Sequence, residues 1–402
     1  MENIEKEKIA GLGSFYRRML LEDVMPFWEK RTADREFGGF LTCFDRTGNL
    51  TDTDKYMWFQ GRQIWMFATL FNQVAREQKW LELARIGRDF AVKHAYAGNG
   101  RWNYQLDRAG KIKVGTVSIY TDLFIVAGLS ELASATGSDE DINLIRDTYS
   151  SIERAVHDPD FKDLFHGSWS PKFKRHGPYM ITLNVANTVG HVLGAERTKP
   201  LIDYCLEQLL YVFAKDEHEA LFESLSRDGT VDMDSPEGRL LNPGHAMESM
   251  WFCLEEGKRR GSRTIIERAS KIIDWSYKLG YDKEYGGIVS YLDANGMEPV
   301  QTDWHKDINA MWHDKIWWVH CEAIYALAAS ALATGSNERF ECFMDLHNWS
   351  WKNFHDKEYG EWYPELYRNG TAKLMDKGTL WKAAFHLPRA MLMAMKLFEG
   401  KI

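Results

Sequence analysis

Glu284-Tyr285-Gly286-Gly287, followed by Asp293-Ala294-Asn295-Gly296, is the stretch on which the reading of the fold turns. An aromatic–glycine cluster leads into an alternating run, a polar turn ends in Gly296, and a second short run follows. That is the pattern of a β-hairpin. It recurs along the chain. Glu358-Tyr359-Gly360-Glu361-Trp362 precedes Arg368-Asn369-Gly370, and Phe37-Gly38-Gly39-Phe40 precedes Asp45-Arg46-Thr47-Gly48. Trp102-Asn103-Tyr104 precedes Asp107-Arg108-Ala109-Gly110, and Leu221-Phe222-Glu223 precedes Arg227-Asp228-Gly229. The turn glycines at 48, 110, 229, 296 and 370 lie 62, 119, 67 and 74 residues apart, with a degraded copy near Phe165-His166-Gly167-Ser168-Trp169 inside the wide gap. A fixed period is read as architecture, and 402 residues hold six units of about 67.

Between the hairpins apolar residues recur at three- and four-residue spacing, the signature of helices. Twelve are expected, starting near residues 7, 60, 79, 117, 139, 178, 199, 245, 264, 314, 337 and 380. Gly137-Ser138-Asp139 and Gly335-Ser336 are stop-and-start signals between helices. Twelve helices in six helical hairpins, with short β-hairpins at one end, predict an all-α (α/α)6 barrel in which residues 1–402 form one domain. The alternative is a helical array that stays open. Closure is favoured because the repeat number is small and no capping repeat is readable.

Composition narrows the class. With 45% hydrophobic and 27% charged residues the chain has the makings of a globular core rather than disorder. No stretch approaches the ~20 apolar residues of a membrane span. The first residues, Met1-Glu2-Asn3-Ile4-Glu5-Lys6, lack a signal pattern, so a cytoplasmic location is expected. A net charge of -8 argues against nucleic acid or an anionic membrane as partner. Five scattered cysteines, never spaced as CxxC, read as reduced core thiols. Sixteen tryptophans suit a large aromatic core, and equally a pocket that presents flat faces to a sugar.

Motifs of phosphate, dinucleotide, zinc-protease and serine-hydrolase chemistry are missing from the sequence, and the thirteen histidines show no metal-ligand spacing. What remains is polar residues set into apolar helix starts. In Asn242-Pro243-Gly244-His245-Ala246-Met247-Glu248, a turn opens a helix on which His245 and Glu248 share a face. The helix N-terminus favours a neutral imidazole and the carboxylate a charged one, so spacing leaves the protonation state open. Phe385-His386-Leu387-Pro388-Arg389 repeats the His-x-x-charged spacing at the last helix, and the two sites could face each other across one pocket. In Trp317-Trp318-Val319-His320-Cys321-Glu322 the carboxylate is costly to bury unpaired and needs a partner, one of the two histidines being a candidate. In Trp58-Phe59-Gln60-Gly61-Arg62, Arg62 lies among aromatics, where it could bind an anionic oxygen or cap loop carbonyls.

These blocks together resemble the N-acylglucosamine 2-epimerase family, once also called renin-binding protein. The matching stretches are Lys55 to Trp65, Glu237 to His245, Trp317 to Glu322 and Phe385 to Arg389, in order along essentially the whole chain. The resemblance implies an (α/α)6 barrel, with His245 and His386 as the catalytic acid–base pair assisted by Glu248 and Glu322. It implies substrate binding by Arg62 and Arg389, and pocket-lining roles for Trp318, Trp381 and Asn184. Sister families, the cellobiose epimerases and the aldose-ketose isomerases, carry a His four residues after the Asn184 position, where this chain has Thr188. The resemblance also implies a homodimer and no required cofactor or metal, with ATP at most an activator that is not consumed.

Two stretches depart from the family pattern: Phe165 to Tyr179, expected to form a pocket wall, and an insertion at His305-Lys306-Asp307-Ile308-Asn309-Ala310. The expected activity is a cofactor-independent interconversion of N-acetyl-D-glucosamine and N-acetyl-D-mannosamine. The alternatives are a mannose/glucose 2-epimerase or aldose-ketose isomerase, a glycosidase built on Glu248 and Glu322, and a non-enzymatic protein-binding scaffold.

Overall fold

The computed structural model describes residues 3–164, 169–302 and 305–401. Twelve long helices run through these residues. α1 (Asn3–Arg18) continues through a wider-pitched stretch, Met19–Val24, into Met25–Arg31. α2 (Met57–Gln73), α3 (Gln78–His94), α4 (Ile119–Thr136), α5 (Asp139–His157) and α6 (Gly177–Leu193) follow. α7 (Ala195–Glu207) runs on through Gln208–Phe213; then come α8 (Pro243–Arg260) and α9 (Arg263–Gly280). α10 (Trp317–Thr334), α11 (Asn337–Asn353) and α12 (His386–Phe398) complete the set. Every expected start lies within two turns of one of these helices. At the two junctions singled out, Gly137 and Gly335 end one helix in the left-handed conformation, and the Ser138 and Ser336 hydroxyls cap the next.

Sequence pattern decides which helices go inside. α4 and α10 are apolar on nearly every face and buried nearly throughout, whereas α5 and α9 carry one apolar and one charged face. Even-numbered helices α2 to α12 pack on one another in chain order as an inner ring, and each is covered by an odd-numbered neighbour. The ring closes. α1, the first helix, packs on α12, the last, with Arg17 donating two 2.7 Å hydrogen bonds to Glu399. Between α12 and α2, Lys396 reaches Gln73 at 2.8 Å. The fold is therefore the (α/α)6 barrel.

The hairpins form a second ring at one end. The hairpin strand after each outer helix pairs with the segment leading into the preceding inner helix. Gln105–Leu106 pairs with Lys55–Tyr56 ahead of α2, and Ser224–Ser226 with Phe173–Arg175 ahead of α6. Leu292–Asp293 pairs with Leu240–Leu241 ahead of α8, and Glu365–Leu366 with Lys315–Ile316 ahead of α10. At α4 the Leu164 N–H donates to the Val117 carbonyl and the Asp163 carboxylate accepts the Ile119 N–H at 2.8 Å, doing the same work, and a Phe44–Gly378 bridge ahead of α12 closes the circle. The degraded copy at Phe165-His166-Gly167-Ser168 lies outside the described residues.

The repeated turns contribute a repeated ion-pair module. Asp34 takes Lys55 at 2.9 Å and the turn residue Arg108 at 2.9 Å. Asp282 takes Lys315 at 3.0 Å and Arg368 at 2.7 Å; Asp356 takes Lys377 and Arg46, both at 2.8 Å. Each arginine comes from the turn of the next hairpin, so the module ties neighbouring units, and Arg46–Asp356 ties the last to the first.

Close approach of α2 and α4 depends on two glycines. A Cβ at Gly61 would lie 2.3 Å from the Phe124 backbone, and one at Gly128 would lie 2.6 Å from the Gly61 carbonyl oxygen. Backbone cannot yield as a side chain can. Gly61→Ala is therefore expected to cost ~1–3 kcal/mol of stability as overpacking, against a gain of ~1 kcal/mol in helix propensity. Gly11→Ala on α1, where a Cβ meets nothing within 4 Å, isolates the propensity gain and should not destabilise. Chemical denaturation of the two variants checks both, and a Gly61→Ala protein as stable as wild type would refute the close-packing argument.

The five cysteines are free, four of them buried, and no helix among the described residues is long and apolar enough to cross a membrane.

Candidate active site

A cavity of about 550 Å³ opens at the hairpin end of the inner ring. Its wall includes Arg62 and Trp58 from α2, His245 and Glu248 from α8, Trp318 from α10, and His386. Local sequence sets the first histidine. The Asn242 side chain accepts the His245 backbone N–H at 3.0 Å, and Pro243 takes a position at the helix start where a missing N–H costs nothing. His245 is thereby held in the first turn of α8, facing the cavity. Its Nδ1 lies 3.0 and 3.1 Å from the two carboxylate oxygens of Glu223. Glu223 is buried between the strands Ala220–Leu221 and Ser224–Ser226, with His176 Nδ1 at 3.7 Å on its other side. His176 Nε2 shares a 2.6 Å hydrogen bond with Ser249.

The second histidine opens α12. His386 Nδ1 lies 2.6 Å from Glu322, whose other oxygen accepts the Trp251 indole N–H at 2.7 Å. One guanidinium nitrogen of Arg389 donates to Glu322 at 2.8 Å and also to Glu248. The two imidazoles flank one indole: the Trp318 ring centroid is 4.9 Å from that of His245 and 5.7 Å from that of His386. With each Nδ1 committed to a carboxylate, each Nε2 is the nitrogen left for the cavity.

Electrostatics differ sharply between the two. Burial works against a charged His245, but the charge and hydrogen bond of Glu223 outweigh it and hold its pKa above the ordinary imidazole value. Burial drives the His386 pKa well below that value; Glu248 opposes the shift, while Arg62 and Arg389 add to it. Burial also lowers His176 and His305 to about 4. Arg62 is lowered by burial to about 9, so it stays cationic at neutral pH. Its guanidinium sits 4.0 Å from the Phe124 centroid and 4.5 Å from that of Trp58, and its Nε has no hydrogen-bond partner among the described residues.

The expected site residues are mostly brought together, with two exceptions. His245, His386, Glu248, Arg62, Trp318 and Trp381 all line the cavity, Trp381 standing half-exposed at its mouth. Glu322 stands directly behind His386. Arg389, expected to bind substrate, is 2% exposed behind His386 and does not line the cavity, because Glu248 and Glu322 claim its guanidinium. Asn184 is half-buried on α6, one turn beyond the lining residue Met180, and is likewise outside the lining. His245 and Glu248 share a helix face, as their spacing predicts, yet the carboxylate that engages His245 is Glu223. Sequence reading passed over Glu223, although a carboxylate ending the apolar run Ala220-Leu221-Phe222 carries the same signal that marked Glu322.

Both atypical stretches border the site. The insertion continues into a short helix, Ile308–Met311, and His305, Asp307 and Met311 line the cavity, His305 packing 4.8 Å from Tyr291. Of the described part of the other stretch, Gly177 lines this cavity, while Lys174, Arg175, Pro178 and Tyr179 line a separate one of about 190 Å³. Among the described residues two sets of metal-ligand types occur, His176–Glu223–His245 and Glu248–Glu322–His386. In the first, His245 Nδ1 is hydrogen-bonded to Glu223; in the second, His386 Nδ1 is hydrogen-bonded to Glu322, and Arg389 pairs with both carboxylates.

The model of the family described as N-acylglucosamine 2-epimerase (GlcNAc 2-epimerase) matches residues 39–388. N-acylglucosamine 2-epimerase from Bos taurus is 30% identical over 392 residues, covering 94% of this chain and 90% of its own. Cellobiose 2-epimerase from Dictyoglomus turgidum is 23% identical, covering 93% and 95%. The crystal structure of a sugar epimerase from a ruminal bacterium superposes with a TM-score of 0.82 at 19% identity, over 97% of this chain and 99% of that one. The repeat, the closed barrel and the end-to-end match agree, and the chain belongs to the N-acylglucosamine 2-epimerase family of carbohydrate epimerases.

Proposed function

We propose that this enzyme interconverts N-acetyl-D-glucosamine and N-acetyl-D-mannosamine by moving the C2 proton of the open-chain sugar between His245 and His386. The observation that carries the reading is the pair of imidazoles flanking Trp318, each tied at Nδ1 and each facing one cavity. C2 is acidic beside an aldehyde. One Nε2 removes its proton, the electron pair passes into an enolate, and the other Nε2 delivers a proton to the opposite face. Arg62 is placed to stabilise the enolate oxygen, and the Trp318 and Trp381 rings offer faces to the sugar. Glu322 and Arg389 act from behind by fixing His386, and Arg389 also holds Glu248.

Preference for an N-acyl sugar rests on the relatives of that name, which are 28–30% identical where the cellobiose enzymes are 21–23%. A second reading, an unsubstituted sugar, is favoured by the atypical roof at His305 to Met311. A glycosidase is disfavoured because Glu248 and Glu322, its candidate acids, are both ion-paired to Arg389. By the same family likeness the reading carries a homodimer, a cytoplasmic location, no required cofactor and a weak response to ATP without its consumption.

Incubation in heavy water with N-acetyl-D-glucosamine, N-acetyl-D-mannosamine, D-mannose, D-glucose and cellobiose, each followed by NMR at C2, tests the proposal. Deuterium is expected at C2 of the epimerised N-acetyl sugars, because solvent exchanges with both imidazoles. Exchange confined to mannose and glucose would transfer the assignment to unsubstituted sugars, and appearance of a ketose would make the enzyme an isomerase of the C1–C2 type. Silence with all five would overturn the epimerase mechanism.

A further inference from the structure

Among the described residues, buried charge around the two histidines can be counted one side chain at a time. Glu223 faces, among the described residues, His245 at 3.0 Å and His176 at 3.7 Å, with His305 within electrostatic reach. His176 is fully buried, hydrogen-bonded to Ser249, and kept neutral by burial. Arg175, whose charge also reaches Glu223, is paired with Glu237 and donates to Ser224. The proton held directly against the Glu223 carboxylate is therefore the one on His245, at hydrogen-bond distance. On the other side the balance is different. Glu248 and Glu322 share the Arg389 guanidinium, and Arg62 supplies a second cation against the same wall. Two carboxylates are already matched by two guanidinium groups. A proton on His386 would add an uncompensated charge in a buried place, where such a charge is costly.

We infer that the resting site holds a single proton between its two catalytic imidazoles, resident on His245 and kept there by Glu223, so that His386 is the base and His245 the acid at the start of a turnover. This rests on the epimerase reading given above, and it makes Glu223 a positioning residue. Tautomers follow from the same contacts. A carboxylate at Nδ1 accepts a hydrogen bond, so Nδ1 carries hydrogen in both rings. Neutral His386 then presents a bare Nε2 to the cavity, and cationic His245 presents an N–H. In the forward step His386 Nε2 takes the C2 proton, the C2–H electrons form the enolate, and His245 Nε2 returns its proton to the opposite face. Afterwards the proton sits on His386, which is the starting state for the reverse epimer. Repeated turnover in one direction requires that proton to return to His245 through solvent.

Other titratable groups facing the pair among the described residues leave the count unchanged. His305 is held neutral by burial, and burial likewise raises the Tyr120 and Tyr291 phenols. Asp307 is exposed at the mouth, and Glu365 faces Lys373 at 3.9 Å.

The test is a pH titration of the imidazole ring signals of the free protein by NMR, assigned with His245→Gln and His386→Gln, beside the pH profile of kcat/KM. His245 is expected to titrate above the ordinary value of ~6.5, with His386 still neutral about one unit below it. Glu223→Gln should lower the His245 midpoint by at least about one unit, a tenfold loss of proton affinity, and move the alkaline limb of the profile down with it. Glu223→Asp, which keeps the charge, should restore much of the shift and covers the case in which the Gln variant fails to fold. A His245 midpoint at or below the ordinary imidazole value in the wild-type protein, a His386 that titrates above His245, or a Glu223→Gln variant with an unmoved midpoint would each overturn the assignment. The ring titration is read without substrate, so it decides the protonation state even if the sugar reading fails.

Discussion

His386→Ala is expected to lower turnover by at least ~100-fold, the lower end of what a positioned acid or base contributes. The loss should appear in kcat and in kcat/KM alike, since the imidazole acts on the C2 proton rather than on the bound sugar as a whole. Truncation leaves Glu322 with two partners, the Trp251 indole and Arg389, so no carboxylate is stranded and the folded state should survive. The His245→Ala variant should lose activity to a similar degree, but at a structural cost. Its removal leaves Glu223 buried with neutral His176 at 3.7 Å as its nearest remaining partner. Its melting temperature should therefore fall further than that of His386→Ala. Rates of C2 deuterium exchange and thermal melts of the two variants measure this. Either variant keeping more than a tenth of wild-type activity would remove that histidine from the mechanism.

Much of the architecture was legible in the sequence because each unit ends in a turn that demands glycine. Gly48, Gly110, Gly229, Gly296 and Gly370 all take positive φ, which makes the period visible without an alignment. The same signal fades where other chemistry substitutes for it. Glu361 stands where Gly39 and Gly287 stand in other units, with a φ of 61°, and its carboxylate is buried against Lys382. Periodicity also could not say that α1 belongs to α12, since a repeat has no marked beginning. At the site, spacing put His386 beside Arg389 on one helix face, and the two do lie 3.4 Å apart. Spacing does not say which of the two meets the cavity; that is settled by Glu248 and Glu322, which reach Arg389 from other helices. Glu223 escaped for the same reason. It acts on His245 across 22 residues, from the hairpin between α7 and α8 whose strand Ser224–Ser226 pairs with the segment ahead of α6.

Asp282→Asn is expected to destabilise the barrel by ~3–5 kcal/mol, the range for removing one partner of a buried ion pair. Lys315, immediately ahead of α10, is fully buried and points its ammonium at Asp282. Arg368 adds two hydrogen bonds of 2.7 and 3.2 Å, and the Glu284 and Tyr285 backbone N–H groups add two more. An amide could accept some of these bonds but supplies no charge, so the Lys315 cation would be left without a counter-ion. Acid titration gives an independent sign. Burial favours protonation of Asp34, Asp282 and Asp356, but their arginine and lysine partners outweigh it and hold all three below the usual carboxylate range, Asp34 at about 2. A carboxylate depressed in the folded state contributes stability above its unfolded pKa of ~3.9, and that contribution is lost as pH falls through the folded value. Lys315, lowered by burial to about 8, is protonated throughout that acid window and adds no slope there. Denaturation curves collected between about pH 5 and pH 2 should therefore show stability falling less steeply for Asp282→Asn than for wild type. Equal slopes, or a variant as stable as wild type at neutral pH, would mean that the module does not hold neighbouring units together.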